Sequence, residues 1–213
     1  MDDFKGQIRS LKVYGDDFWE FYNKQTQKVK ERILWTIRLI RDIQRVPEQY
    51  LKHLEGTDGL YEIRVNSGNN IFRIFCFFDE GQLVILLNAF QKKTQKTPTD
   101  ELERAKKLKK QYLKTGKNKL VDLEEFIDKE YGKRGAKRRD KFEEGYETFK
   151  LGVMLQELRR EQNMTQEQLA EKCGTTKNYI SRIENDASDI RLSTLQRIVR
   201  EGFGGHLKLS VNV

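Results

Sequence analysis

At 213 residues with a formal charge of +8 and a pI near 9.3, the chain has room for two domains of ordinary size. Its balance points to an anionic partner, and nucleic acid fits better than an acidic small molecule. The longest apolar runs, FRIFCFF and LVILLNAF, are too short to cross a bilayer, and the opening MDDFKG has no apolar stretch of a signal peptide. The expectation is a soluble cytoplasmic protein with no membrane partner. Cys76 and Cys173 fall at apolar positions of a predicted strand and a predicted helix, as buried thiols rather than a disulfide. His53 and His206 have no ligand-like spacing to either, so neither a metal nor a cofactor is expected.

In chain order, residues 18–46 read as helical. Phe18, Phe21 and Tyr22 form a first apolar patch, and Val29, Ile33, Ile37, Ile40 and Ile43 follow at three- and four-residue spacing. Pro47 stops the run. The period then changes to two: Tyr61, Ile63 and Val65 alternate with Glu62 and Arg64, a turn follows at 66–70, and 71–78 is a second strand. Asp79-Glu80-Gly81 turns the chain into a third strand at 83–90. The last two strands are apolar on both faces, which predicts a sheet covered on both sides. Thr97-Pro98 opens a helix carrying Leu102, Ala105 and Leu108. The fold class predicted is α+β, beginning with a small domain of two helices, an antiparallel sheet of three or four strands and a closing helix.

Within it the segments LKHLEGTDGLYEIRV, NIFRIF, ILLNAFQKKTQKTP and DELERA resemble the HigB-like branch of the RelE/ParE toxin superfamily, over roughly residues 8–113. The resemblance implies a metal-independent mRNA interferase, a nuclease that cuts messages on the ribosome by attack of a ribose 2′-OH on the adjacent phosphate. Such chemistry needs a group to take the 2′-OH proton, cations for the developing charge and an acid for the leaving oxygen. Arg64 projects opposite to Tyr61, Ile63 and Val65. Arg73 interrupts an otherwise apolar strand, an expensive place for a charge unless it lines a site. Both are assigned to phosphate clamping, since a guanidinium is a poor proton acceptor. Lys92 or Lys93, where the superfamily carries another cation, is assigned to acid/base or electrostatic work. Against this, Arg64 is read equally well as pairing with Glu62 or Glu55 on a solvated face, and Lys92-Lys93 as a solvated loop tip. His53 is read as structural. Many superfamily members carry a Tyr or His near the start of the last helix; here that region is TQKTPTDELE, which leaves the general acid and base unassigned.

Residues 105–119 hold seven lysines and no acid, read mainly as a solvated helix end running into a linker, with phosphate contact as the other possibility. The composition shifts near Lys114. Three segments follow from this: a toxin-like domain at 1–113, a basic linker and helical segment at 114–148, and a last domain at 149–213. Residues 120–131 read as an amphipathic helix, and KRGAKRRDK at 133–141 as a second basic cluster.

The stretch 165–185, TQEQLAEKCGTTKNYISRIEN, reads as two short helices joined by a tight turn. Thr165 and Gln168 have the spacing of a capping box. Leu169, Ala170 and Cys173 make an apolar side, and Gly174 supplies a left-handed stop. Thr175 or Thr176 caps the second helix. Its wheel puts Thr176, Ile180 and Ile183 toward a core, and Asn178, Ser181, Arg182 and Asn185 on the opposite side. That outer side suits base edges and phosphates. Residues 149–201 resemble the Cro/C1 repressor class of helix-turn-helix domains, all-α with five helices, which binds operator DNA as a dimer. By position the resemblance implies that Gln166 and Asn185 contact phosphate, while Lys177, Asn178, Tyr179 and Arg182 read bases. Beyond Gly202, Gly204 and Gly205, the alternation of Leu207, Leu209, Val211 and Val213 predicts a short strand, paired either across a dimer or with the first sheet.

A HigB-like toxin is normally neutralised by a HigA-like antitoxin carrying this kind of repressor domain. The implied partners are operator DNA, mRNA on the ribosome, an intramolecular toxin–antitoxin contact, and a second copy joined through the helix-turn-helix half. Glu124, Glu125, Asp128, Glu143 and Glu144 are candidates to meet the toxin's basic surface; steric exclusion from the ribosome is the alternative. Two other readings stay open: a transcriptional regulator whose toxin-like domain is catalytically degenerate, and a ParE-like gyrase inhibitor.

Overall fold

The computed structural model describes residues 8–93, 98–115 and 119–208. The chain divides into two compact units, Met1–Arg139 and Asp140–Val213.

The first unit holds β1 (Ser10–Tyr14), α1 (Asp17–Asn23), α2 (Gln27–Asp42), β2 (Leu51–His53), β3 (Leu60–Ser67), β4 (Asn70–Asp79), β5 (Leu83–Gln91), α3 (Thr99–Thr115), β6 (Leu120–Asp122) and α4 (Leu123–Tyr131). The sheet order is β2-β3-β4-β5-β1-β6. The expected antiparallel sheet of three or four strands is therefore corrected to a mixed sheet of six. β2 to β5 form an antiparallel meander, but β1 runs parallel to β5, from Ser10 opposite Leu83 to Val13 opposite Leu86. β6 then pairs antiparallel with β1. Residues 120–122, read from sequence as the start of a helix, are instead this edge strand, and the helix begins at Leu123. Asp122 joins the two, its side chain accepting from the Glu124 N–H at 2.9 Å as an N-cap.

Residues 18–46 resolve into two helices. α2 is buried nearly all round from Ile33 to Arg41, the pattern of a core helix rather than a surface one. It stops at Asp42 because Ile43 is already extended, and Pro47 disfavours helical backbone just before it. The Arg9 guanidinium takes carbonyls freed at that end: Ile40 at 2.8 Å, Ile43 at 2.7 Å and Gln44 at 2.8 Å. On one face of the sheet Leu60, Phe75, Phe77, Ile85 and Leu87 pack with Ala105, Leu108 and Tyr112 of α3. That helical stripe at three- and four-residue spacing is what fixes α3 there.

The second unit takes most of α5 (Lys137–Glu161), then α6 (Gln166–Lys172), α7 (Lys177–Asn185), α8 (Leu192–Arg197) and a π-helical turn, Ile198–Gly202. Leu155, Leu169, Ala170, Cys173, Ile180, Ile183, Leu195 and Ile198 form its core, with Leu207 partly buried against it. The predicted C-terminal strand lies mostly at 209–213, outside the described residues. Cys76 and Cys173 are buried free thiols, one in each unit. Among the described residues no helix is long and apolar enough to cross a membrane. Residues 120–139, assigned from sequence to the linker and helical segment, belong to the first unit, since β6 extends its sheet and α4 follows directly.

Candidate functional site

In the second unit the local signals at 165–185 act as read. The Thr165 hydroxyl accepts from the Gln168 N–H at 3.1 Å, and the Gln168 side chain accepts from the Thr165 N–H at 2.8 Å. Gly174, at φ +59°, closes α6: its N–H reaches the Glu171 carbonyl at 3.2 Å, and the Thr175 N–H reaches Ala170 at 2.9 Å. These two bonds form a Schellman ending. Thr176 then caps α7, accepting from the Tyr179 N–H at 3.2 Å. Ile180 and Ile183 enter the core, but Thr176 is exposed; its hydroxyl is needed at the helix end, which corrects the expectation that it faces inward.

Lys177, Asn178, Arg182 and Asn185 are exposed, and Tyr179 and Ser181 are half-buried. Arg182 lies over the Tyr179 ring at 5.1 Å, and Asn185 donates to the Ser181 carbonyl at 2.8 Å. The face is less free of acid than its own helix suggests. Lys177 pairs with Glu167 at 3.4 Å and Arg182 with Asp189 at 3.2 Å, both carboxylates coming from neighbouring segments. Such exposed pairs are worth about 0–1 kcal/mol and yield easily to a phosphate.

Behind this face lies a buried ion pair that the sequence reading missed. Glu184 accepts from Arg159 Nε at 2.5 Å and Nη2 at 2.8 Å, and from the Gln166 amide at 2.8 Å. Arg159 also donates to the Met164 carbonyl at 2.7 Å. Its hydrogen bond with Glu184 raises the Arg159 pKa above its ordinary value, against the effect of burial. The Gln166 amide nitrogen is thus used inward, so a phosphate contact at Gln166 falls to its backbone N–H in the first turn of α6. Gly152 sets the height of α7 over α5: a Cβ there would lie 2.6 Å from the Ile183 carbonyl oxygen and 2.9 Å from that of Glu184.

In the first unit Arg64 and Arg73 face each other directly across β3 and β4. With Glu62 they share the sheet face of Leu60, Phe75 and Phe77. Arg64 Nε donates to Glu62 Oε1 at 2.9 Å. Arg73 Nε lies 3.0 Å from the same oxygen, an ion-pair distance, though it is out of line for a hydrogen bond. Arg73 Nη1 donates to the Phe72 carbonyl at 2.9 Å. The Glu62 side chain is 3% exposed, that of Arg73 10% and that of Arg64 27%. Burial, and secondarily the charge of Arg64, lowers the Arg73 pKa, while Glu62 opposes the shift. Arg64 does pair with Glu62, as one sequence reading had it, but on a buried carboxylate rather than a solvated face. One buried acid therefore carries two guanidiniums, a net positive cluster reaching solvent through Arg64.

Lys92 is half-buried and Lys93 exposed. The Lys92 N–H donates to the Ile71 carbonyl at 2.8 Å, extending the β4–β5 ladder one residue past Gln91. Phe90 is opposite Arg73, so Lys92 stands diagonal to it on the strand ends. The start of the expected helix at Thr97 is outside the described residues; α3 itself begins at Thr99, with the Pro98 carbonyl accepting from the Leu102 N–H. Among the described residues no three His, Cys, Asp or Glu side chains converge to hold a metal ion.

Two of the five carboxylates proposed from sequence to meet basic groups do so within the first unit, at a different place from Arg64 and Arg73. Glu124 pairs with Arg41 of α2, with Arg139 at 3.0 Å and, more loosely, with Arg38 at 3.8 Å. Asp128 takes Arg139 at 2.6 Å. Phe126 packs on Trp19 at 4.1 Å and Tyr22 at 5.5 Å between ring centres. α4 is thereby fixed to α1 and α2.

Residues 20–110 match the family model described as Phage derived protein Gp49-like (DUF891), of the RelE/HigB toxin type. Residues 155–201 match the helix-turn-helix family model. The chain is thus a Gp49-like domain followed by a Cro/C1-type helix-turn-helix domain, a toxin–antitoxin-like fusion with a DNA-binding part. No curated protein matches the chain.

Proposed function

We propose that the chain is a toxin and its antitoxin on one polypeptide. The Gp49-like domain is a metal-independent mRNA interferase acting on the ribosome, held inhibited by the antitoxin part. The helix-turn-helix domain binds operator DNA as a homodimer and represses transcription. The observation that carries the nuclease reading is the pairing of Arg64 and Arg73 across two strands on one half-open, positively charged spot. Two guanidiniums side by side match the non-bridging oxygens of a phosphodiester and the charge that grows on them. In this reading a ribose 2′-hydroxyl gives its proton to water and attacks the adjacent phosphorus, the bond to the 5′-oxygen breaks as that oxygen gains a proton, and a 2′,3′-cyclic phosphate and a 5′-hydroxyl result. Arg64 and Arg73 hold the phosphate, and Lys92 or Lys93 supplies further charge or the leaving-group proton. On the DNA side Lys177, Asn178, Tyr179 and Arg182 meet base edges, while Gln166, Thr176, Ser181 and Asn185 position the phosphates.

Inhibition in this reading is steric. β6 lies four strand spacings from β3, about 19 Å at ~4.8 Å each, and α4 spends its Glu124 on Arg38, Arg41 and Arg139. Neither supports charge neutralisation of Arg64 and Arg73. The test compares translation arrest and mRNA cleavage by the full chain, by residues 1–139 and by residues 1–115. Cleavage by 1–115, abolished by Arg73→Ala and suppressed when 116–139 is restored, is the expected result. A folded 1–115 fragment that leaves mRNA intact sinks the nuclease reading. The second reading, a regulator with a catalytically degenerate toxin-like domain, is favoured by the engagement of both arginines with Glu62. Operator binding without cleavage by any fragment would establish it.

A further inference from the structure

We propose that Glu62 is a positioning residue for an anion site formed by Arg64 and Arg73. It holds both guanidiniums by their Nε edges, so that their Nη groups meet a phosphate together. Three observations combine. Glu62 is buried on the central face of the sheet, with one oxygen 2.9 Å from Arg64 Nε and 3.0 Å from Arg73 Nε. The strand register places the two arginines directly opposite each other, so a shared anchor sets their separation. Among the described residues, no protein group takes the Nη hydrogens of Arg64 or those of Arg73 Nη2.

Lys52, opposite Glu62 on β2, is engaged elsewhere: its Nζ pairs with Glu48 at 3.2 Å. A buried carboxylate that only balanced charge would be satisfied by one guanidinium in a two-pronged pair. Here one oxygen is shared between two Nε groups, so the two guanidiniums exceed that carboxylate by one charge and keep their outer donors unspent. Those donors suit a tetrahedral dianion or phosphodiester better than a planar carboxylate on one fork. The identification of that anion as RNA phosphate rests on the nuclease reading; the anchoring itself does not.

The sign of a charge-removing substitution separates anchoring from simple charge balance. The probe is inorganic phosphate, titrated into the full-length protein while the Nε–H resonances of Arg64 and Arg73 are followed by NMR. In the unsubstituted protein both resonances should move along one saturation curve. Glu62→Gln removes a negative charge next to the site, so charge balance alone predicts tighter phosphate binding. Anchoring predicts weaker binding, roughly tenfold for the charge-assisted hydrogen bond lost at Arg64 and the ion pair lost at Arg73. Glu62→Asp keeps the charge and shortens the reach; anchoring again predicts weakening, charge balance predicts none. No shift at either arginine in the unsubstituted protein, or unchanged or tighter binding in a folded Glu62→Gln variant, overturns the proposal. Should Glu62→Gln fail to fold, Glu62→Asp and the unsubstituted titration decide. Phosphate binding that depends on Glu62, with no RNA cleaved by any fragment, keeps the anchor and removes the nuclease. RNA cleavage undiminished by Glu62→Gln does the opposite.

Discussion

Glu62 and Glu184 are both buried carboxylates held by arginine, yet they differ in balance. Glu184 gives both oxygens to one guanidinium and adds a neutral amide, so charge cancels and the donors are largely spent. Glu62 meets two guanidiniums with one oxygen, so the arginines outnumber it and keep donors to spare. The first arrangement stores specificity in packing: it ties α5, the start of α6 and α7 into one orientation. The second leaves guanidinium donors facing outward. A buried acid with arginine is thus no signature of function in itself; the count of charges and of remaining donors decides.

The comparison can be broken most sharply at Glu184. Glu184→Ala leaves Arg159 buried without its carboxylate and should cost about 3–5 kcal/mol, read as a large fall in the urea midpoint and loss of operator binding. The paired replacement of Arg159 and Glu184 by Met and Leu should recover most of that stability; if it does not, the pair is more than packing. Gly152→Ala tests the same orientation from the backbone side. Its methyl meets carbonyl oxygens that no side-chain rotation can move, for a cost of about 1–3 kcal/mol and weakened DNA binding in fluorescence anisotropy.

At Glu62 the losses should be smaller and unequal. Arg73→Ala is expected to cost about 2 kcal/mol and Arg64→Ala about 1 kcal/mol, because Glu62 keeps a partner either way and Arg64 is more exposed. Thermal unfolding of the two variants checks the order, and a larger loss for Arg64 would contradict the burial argument. The smallest effect belongs to Lys177→Ala. Stability should shift by no more than about 0.5 kcal/mol, while the slope of operator affinity against salt falls by about one.

The sequence made the second unit legible far more fully than the first, and the reason is range. Thr165, Gln168, Gly174 and Thr176 act on backbone groups within five residues of themselves, so their types and spacing suffice. β1 and β6 act at a distance. Ser10–Tyr14 becomes a strand because β5 lies beside it, over seventy residues on. Leu120–Asp122 is too short to show any period. The meander of β3, β4 and β5 was visible in the alternation at 61–65 and the apolar runs after it. Glu62 and Arg64, two apart on a strand, were bound to share a face; that Arg73 would join them depended on the β3–β4 register, which the turn at 66–70 fixes. The Arg159–Glu184 pair spans twenty-five residues between two helices and had no local mark. Glu167 and Asp189 were hidden for the same reason, each lying outside the helix whose lysine or arginine it meets.

The place of β6 in the chain has a consequence in time. The meander of β3 to β5 that carries Arg64 and Arg73 is complete once residue 91 has been made, whereas the strand that covers the edge of β1 ends at residue 122. At roughly 5–20 residues per second of synthesis, the meander of β3 to β5 precedes β6 by about 2–6 s. During that interval β1 is an open sheet edge, ready to accept any extended segment. A chain interrupted in this window would carry Arg64 and Arg73 without β6 and α4, the segment proposed to restrain them.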